Sequence, residues 1–396
     1  MEIGIFPQHS FISNRHVLVN NKFYLSIMKS QTEKYLRYIL NPIELFGTER
    51  TREILSVNPT ITPVREDAAL VAISAYVYNK EQIEEYKNIE LEECLQLPTG
   101  NGKIVWINVD GLRKKDVDII GERFGISPIL REDILSIGQR PKMDEMDEIL
   151  FSVMNMLYFC EQKQAVEQEQ ISLVLGKNFV ITFQDDPARD VFDALRGRLK
   201  MPTSKTRCKE ADYLYYTLLD TIVDHYYIVM DRLGDQIEDL EEDIVRSTNK
   251  RTLAQINAIR KEQIVLKRSI YPVREVVANI IKSESELLTE FNERYYKDIY
   301  DHTVQAIDLV DNYRDMVMSM QDLYISNVNL RMNEVMKVMA IVTCLLAPAT
   351  VIGGIFGMNF DIIPLTKHHW GFWIAVAMMF IIPVWMLIAF KRRGWF

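Results

Sequence analysis

Near the C-terminus, Asp322, Ser326, Asn329, Asn333, Met336, Ala340, Thr343, Ala347, Thr350, Gly354 and Gly357 recur at steps of three and four. All but Met336 are polar or small, whereas Val338, Ile341, Val342, Leu345, Leu346, Val351, Ile352 and Ile355 between them are bulky and apolar. Side-chain oxygens at this spacing could pass a hydrated cation from one to the next, with no bond made or broken. A period of roughly 3.5 residues keeps one stripe turned toward the axis of a bundle of like helices, and a polar stripe there would line water. The alternative is that small residues simply let helices approach closely, and Gly353-x-x-x-Gly357 is such a motif. Asp322 and Asn333 favour water, because a packing seam does not need them.

The elements that carry the stripe are legible from charge. No charged residue occurs from Val338 to Phe360 or from Trp370 to Phe390. About 20 apolar helical residues cross a bilayer core, so each run is long enough to span once. The loop between them, 361–369, can only turn the chain back. Arg331 and Lys337 precede the first span and Lys391, Arg392 and Arg393 follow the second, while the loop offers Lys367 and two histidines. Excess positive charge stays on the cytoplasmic side, which places both termini in the cytoplasm of a multi-pass protein of the cell membrane. Upstream, no proline occurs from Phe291 until Pro348 and no glycine until Gly353. At 1.5 Å per residue this predicts a helix of roughly 100 Å, which needs partners.

Of the 396 residues, 46 are Lys or Arg and 55 Asp or Glu, a net charge of −9. This acidic balance argues against nucleic acid as a partner. Cys94, Cys160, Cys208 and Cys344 lie far apart, with no C-x-x-C and no histidine at zinc-finger spacing, which argues against a disulfide framework or a cysteine-based zinc site. The N-terminus lacks a basic region followed by an apolar one, so no secretory signal is expected. Walker, G-x-G-x-x-G, G-x-S-x-G and H-E-x-x-H motifs are all missing. The expectation is a non-enzyme with no organic cofactor.

Before about residue 200, strand and helix signals alternate. Ala69–Tyr78, Lys103–Val109, Ile149–Phe159 and Ile171–Phe183 read as strands, the last as a pair turning at Gly176-Lys177-Asn178. Lys114–Phe124 has helical spacing, with Gly125 as its C-cap. From 210 to 282 apolar residues recur at i, i+3 and i+4 amid dense charge. The acidic run Glu238–Asp243 there reads as a solvated helix tip rather than a metal site. The expected segments are an unassigned extension at 1–64, an α/β domain at 65–209, antiparallel helices at 210–290, a stalk helix at 291–337, a first span at 338–360, an external loop at 361–369, a second span at 370–390 and a basic tail at 391–396.

The first span ends in Gly357-Met358-Asn359-Phe360, directly before a short loop and a C-terminal second span. In that position the Gly-Met-Asn sequence resembles the signature of the CorA family of magnesium channels. The resemblance extends upstream through Tyr300-Asp301-His302-Thr303, Ala211-Asp212-Tyr213-Leu214, Glu132-Asp133-Ile134-Leu135 and Val105-Trp106-Ile107-Asn108, covering about residues 65–396. It implies an α+β membrane protein that assembles as a homopentameric funnel, with five long helices around a pore and five second spans outside them.

It further implies passive, potential-driven Mg²⁺ uptake through a filter of Gly357, Met358 and Asn359. Because Mg²⁺ dehydrates reluctantly, five Asn359 amide oxygens would bind the waters of the hydrated ion. Thr350, Ala347, Thr343, Asn333, Asn329 and Asp322 would continue the path, with Met336 and Met339 as a dewetting constriction. Lys337, Lys391, Arg392 and Arg393 would form a basic cytoplasmic mouth. Asp133 and Asp298 match an acidic pair that binds regulatory Mg²⁺ between subunits, with Glu132 and Asp220 as neighbouring acids. The bland alternative for Asp298 is a surface charge clustered with Asp301 and His302.

Two departures from the family pattern matter. The usual acidic loop after the motif is here Asp361-Ile362-Ile363-Pro364-Leu365-Thr366, so Asp361 alone could attract cations and Lys367 opposes it. Position 347, often bulky, is Ala. The motif reads Gly-Met-Asn rather than the Gly-Val-Asn of related zinc transporters, which tilts the expectation toward magnesium over Co²⁺, Ni²⁺ or Zn²⁺. A membrane-anchored structural or signalling protein is the reading from a different class, and would make the polar stripe and Asn359 accidental.

Overall fold

The computed structural model describes residues 65–396 except 66, 99, 101, 147, 247–248, 360–362, 366–367 and 396. The N-terminal extension, Asp361 and Lys367 therefore lie outside the described residues. The chain divides into two compact units, and the division falls within its long helices. One unit takes the chain to Tyr226 together with Ile264–Val304, and the other holds Tyr227–Gln263 and Gln305–Phe396.

The first unit is built on a seven-stranded sheet: β1 (Ala72–Tyr78), β2 (Ile83–Tyr86), β3 (Ile104–Asp110), β4 (Lys142–Met146), β5 (Ile149–Cys160), β6 (Ala165–Gly176) and β7 (Phe179–Gln184). Their order is β2-β1-β3-β7-β6-β5-β4, antiparallel throughout except for the parallel pair β3 and β7. Both faces are covered, so β5 reads Ile-Leu-Phe-Ser-Val-Met-Asn-Met-Leu rather than alternating apolar and polar. One face packs Ala75, Val105, Ile107, Phe151, Val153 and Ile181 into a core with α1 (Leu91–Leu95), α2 (Lys114–Phe124) and α3 (Pro128–Leu135). Helix α2 has the bounds expected from its periodicity and ends on Gly125 in the left-handed conformation (φ 75°), the cap that glycine supplies at least cost. Gly111, after β3, also needs its missing Cβ, which would run into the Leu70 carbonyl oxygen.

The other face carries Trp106, stacked on Tyr76 at 5.2 Å between ring centres. A fully buried indole of this kind is worth on the order of 3–5 kcal/mol against alanine. Two short helices, α4 (Asp193–Lys200) and α5 (Lys205–Cys208), precede the long helix α6 (Ala211–Arg246). The first half of α6 is pinned to the sheet by Tyr215, whose hydroxyl donates to Ser152 Oγ at 2.8 Å, and by Tyr226, which donates to the Asn155 carbonyl at 2.8 Å. Helix α7 (Lys250–Lys282) follows.

Helix α8 (Glu293–Phe356) is a single 64-residue element running through Pro348. Its buried line comprises Tyr296, Ile299, Thr303, Ala306, Ile307, Val310, Val317 and Met320, at helical spacing. Beyond Met320 the helix is almost bare, and Ile341 is the one buried residue from Gln321 to Phe356. In the second unit Asn327 Nδ2 donates to the Ile244 carbonyl at 3.0 Å. Helix α9 (Gly371–Arg392) follows, and α8 and α9 are each long and apolar enough to cross a membrane. Gly353 lies in van der Waals reach of Met379 on α9.

Candidate functional site

Every residue of the stripe, from Asp322 to Gly357, is exposed in the single chain. Met336 and Met339 are 55% and 66% exposed, which no isolated soluble chain would favour. A different line of α8 is covered instead: Ile341, Leu345, Pro348, Ile352 and Phe356 are buried or partly buried. The Thr343 and Thr350 hydroxyls donate to the carbonyls of Met339 (2.8 Å) and Leu346 (3.0 Å). Their protons are thus turned back into the helix, and the oxygen lone pairs remain to accept from water.

Helix α8 ends at Phe356, and Gly357 still donates to the Gly353 carbonyl at 3.0 Å. Gly357 is outside the left-handed region, so the glycine is not required for an unusual backbone angle. The reason is space: a Cβ there would sit 3.2 Å from that same carbonyl oxygen. Met358 and Asn359 follow, exposed, beyond the last helical turn. Lys337 is partly covered, and Lys391, Arg392 and Arg393 are exposed at the end of α9.

The acidic residues divide into two places within the first unit. Asp133, in the last turn of α3, is 9% exposed. Its carboxylate accepts from Lys142 Nζ at 2.6 Å and Gln139 Nε2 at 2.9 Å, so its charge is already matched within the chain. Glu132 beside it is exposed.

Asp220 is in a different setting. Asp220 and Asp224, one turn apart on α6, meet His302 of α8, with their ligand atoms all within 4.8 Å of one another. Burial pushes the Asp220 carboxyl up to about 6; the Asp224 charge adds to this, His302 pulls it back, and the charge of Asp298 raises it further. Burial, then the charge of Asp220, also raises the Tyr216 phenol, which hydrogen-bonds Asp220. Two carboxylates and an imidazole fit a divalent ion that keeps water at its remaining positions.

Asp224 and His302 were missed as ligands by reasoning from sequence. A signal existed: Asp220/Asp224 and Asp298/His302 are both i, i+4 pairs, each on one helix face. Nothing local indicated that the two faces meet.

Comparison with known proteins adds four findings. A family model described as CorA-like Mg²⁺ transporter protein matches residues 101–392. The chain is 36% identical over 332 residues to a cobalt/magnesium transport protein CorA of Thermotoga maritima, covering 84% of this chain and 93% of that one. It is 25% identical over 298 residues to the cobalt/magnesium transport protein CorA of Methanocaldococcus jannaschii, covering 74% and 92%. Among solved structures, the complete CorA magnesium transporter of Methanocaldococcus jannaschii superimposes with a TM-score of 0.69 at 23% identity, over 82% of this chain and 98% of that one. With its α/β domain, long helix and apolar C-terminal pair, the chain belongs to the CorA-like family of Mg²⁺ transporters, membrane proteins that move divalent cations.

Proposed function

We propose that this chain assembles as a homopentamer in the cell membrane and conducts Mg²⁺ passively into the cell, with both termini cytoplasmic. The observation that carries this reading is the uncovered stripe on α8, ending at Gly357, Met358 and Asn359. A helix this apolar, bare beyond Met320, is stable only against lipid and copies of itself, and a symmetric ring turns one stripe of each copy inward. Asn359 then forms the ring that accepts hydrogen bonds from the ion's waters. Thr350, Ala347, Thr343, Asn333, Asn329 and Asp322 line the path below it, and Met336 and Met339 narrow it. A divalent ion crossing 100 mV, inside negative, gains about 4.6 kcal/mol, so no coupled energy source is required.

Gating belongs to the acidic residues. Asp220, Asp224 and Asp298 crowd negative charge on one helix pair, and a bound cation relieves that repulsion. Glu132 and Asp298 contribute where subunits face one another, with Asp133 a weaker contributor because Lys142 already pairs with it, so that cytoplasmic metal favours the closed ring. The relatives that are named for cobalt as well as magnesium, and the imidazole of His302, favour a second reading in which Co²⁺ is also handled, since nitrogen ligands suit Co²⁺ better than Mg²⁺. Uptake of Mg²⁺, Co²⁺ and Zn²⁺ into proteoliposomes under an imposed potential tests both. Mg²⁺ influx should follow the potential and be competed by Co²⁺; vesicles impermeable to all three ions would end the channel reading.

A further inference from the structure

Just before the cation site, the starts of α6 and α8 are bound together. Asp212, in the first turn of α6 and 1% exposed, receives three hydrogen bonds on one oxygen. These come from Thr289 N (2.9 Å), Thr289 Oγ1 (2.6 Å) and Asn292 Nδ2 (2.8 Å). The Tyr296 hydroxyl donates to the Asp212 carbonyl at 2.9 Å. Lys209 Nζ donates to Asn292 Oδ1 at 2.7 Å, and it lies 4.2 Å from the ring centre of Phe291 and 4.5 Å from those of Tyr213 and Tyr295. Asn292 is therefore clamped from both sides, by a carboxylate on its amide nitrogen and an ammonium on its oxygen. The Asp212 charge also faces the positive end of its own helix.

From this clamp the helices run the same way and meet at successive turns. Asp212 meets Asn292 and Tyr296. One turn on, Tyr216 packs on Tyr295 and Tyr296 at 5.1 and 5.9 Å between ring centres. A further turn on, Asp220 meets His302. A helix transmits a slip at its start undiminished: one residue shifts later side chains by about 1.5 Å and turns them by about 100°. We infer that Asp212, Asn292 and Lys209 are positioning residues for a divalent-cation site at Asp220, Asp224 and His302, setting the helix register that brings the imidazole against the two carboxylates. This rests on reading those three residues as a cation site, as proposed above.

The test uses the full chain in detergent with Co²⁺ as the probe, read by titration calorimetry and by the Co²⁺ ligand-field absorption. His302→Ala defines the part of the spectrum and of the binding that belongs to this site. Asp212→Ala should weaken that part about tenfold or more and remove its imidazole-dependent band. Asp212→Asn should restore both, because an amide oxygen can replace the accepting Oδ2, whereas Oδ1 has no hydrogen-bond partner. Should Asp212→Ala not fold, Lys209→Met leaves the carboxylate in place and should shift affinity and band in the same direction. Wild-type affinity and spectrum in both Asp212→Ala and Lys209→Met would overturn the positioning role. No change in His302→Ala would instead remove the cation site itself, and the positioning role with it.

Discussion

The proposed cation site between α6 and α8 and the stripe along the later part of α8 make opposite use of one helix. The three groups of the proposed site stand within a single chain: Asp220, Asp224 and His302 are brought together by an aromatic junction and a sheet-backed helix. Every residue of the stripe is exposed, covered by no other described part of its own chain. A helix can thus be read by burial. Where the chain covers it, the chain can supply the chemistry, and where it is bare, the proposed chemistry calls on other copies. Mutations in the two regions should therefore fail differently, the first altering what a subunit binds and the second what an assembly conducts.

The largest expected effect is at the end of the stripe. Asn359→Ala should reduce Mg²⁺ uptake by roughly tenfold or more while the pentamer still elutes intact from size exclusion, because the ring loses oxygens and no packing contact. Full uptake by this variant would sink the filter. Asp298→Lys comes next. A fixed positive charge among Asp220 and Asp224 should mimic bound metal, so the variant should resist limited proteolysis in EDTA, where wild type requires Mg²⁺. Metal-independent cleavage patterns shared by both proteins would leave Asp298 a mere surface charge.

A third experiment turns on protonation. The Asp220 carboxyl is raised from an ordinary value of 3.8 to about 6, so the metal-free folded chain binds more protons than the unfolded chain across that window. Metal-free stability from this group should accordingly fall as pH rises from about 4 to 6. Metal binding needs the ionised form and should weaken as pH falls through about 6. The thermal shift produced by Mg²⁺ or Co²⁺ should therefore be large at neutral pH and small near pH 5; equal shifts would take Asp220 out of the ligand set. The smallest effect belongs to Asn333→Ala and Met336→Ala, which should change flux or leak by a few fold without altering assembly, read as tracer flux beside size exclusion. Loss of the pentamer in either would make the stripe a packing seam.

Periodicity and charge are local properties, and what depends on them was legible. The two spans, the helix opening within two residues of Phe291, the α2 bounds with the Gly125 cap, and the spacing of the stripe all follow from the order of residues alone. Helix α3 was equally available, with Ser127 as N-cap and Pro128 in the first turn, but went unread. The edge strands were not legible: Ile-Glu-Glu-Tyr of β2 and Lys-Met-Asp-Glu-Met of β4 are too polar to announce themselves and become strands by pairing with β1 and β5. The acidic residues show the same limit. The resemblance grouped Asp133, paired with Asp298, and its neighbour Asp220 in one acidic set, and tertiary packing sets Asp133 and Asp220 in different surroundings. Lys142 and Gln139 fold back onto Asp133 and match its charge, whereas burial beside Asp224 leaves Asp220 crowded and brings His302 to it from a distant stretch of chain. Which carboxylates stand close enough to share an ion is a matter of through-space distance, and that distance comes from the packing of α6 against α8, which residues far apart in the chain build together.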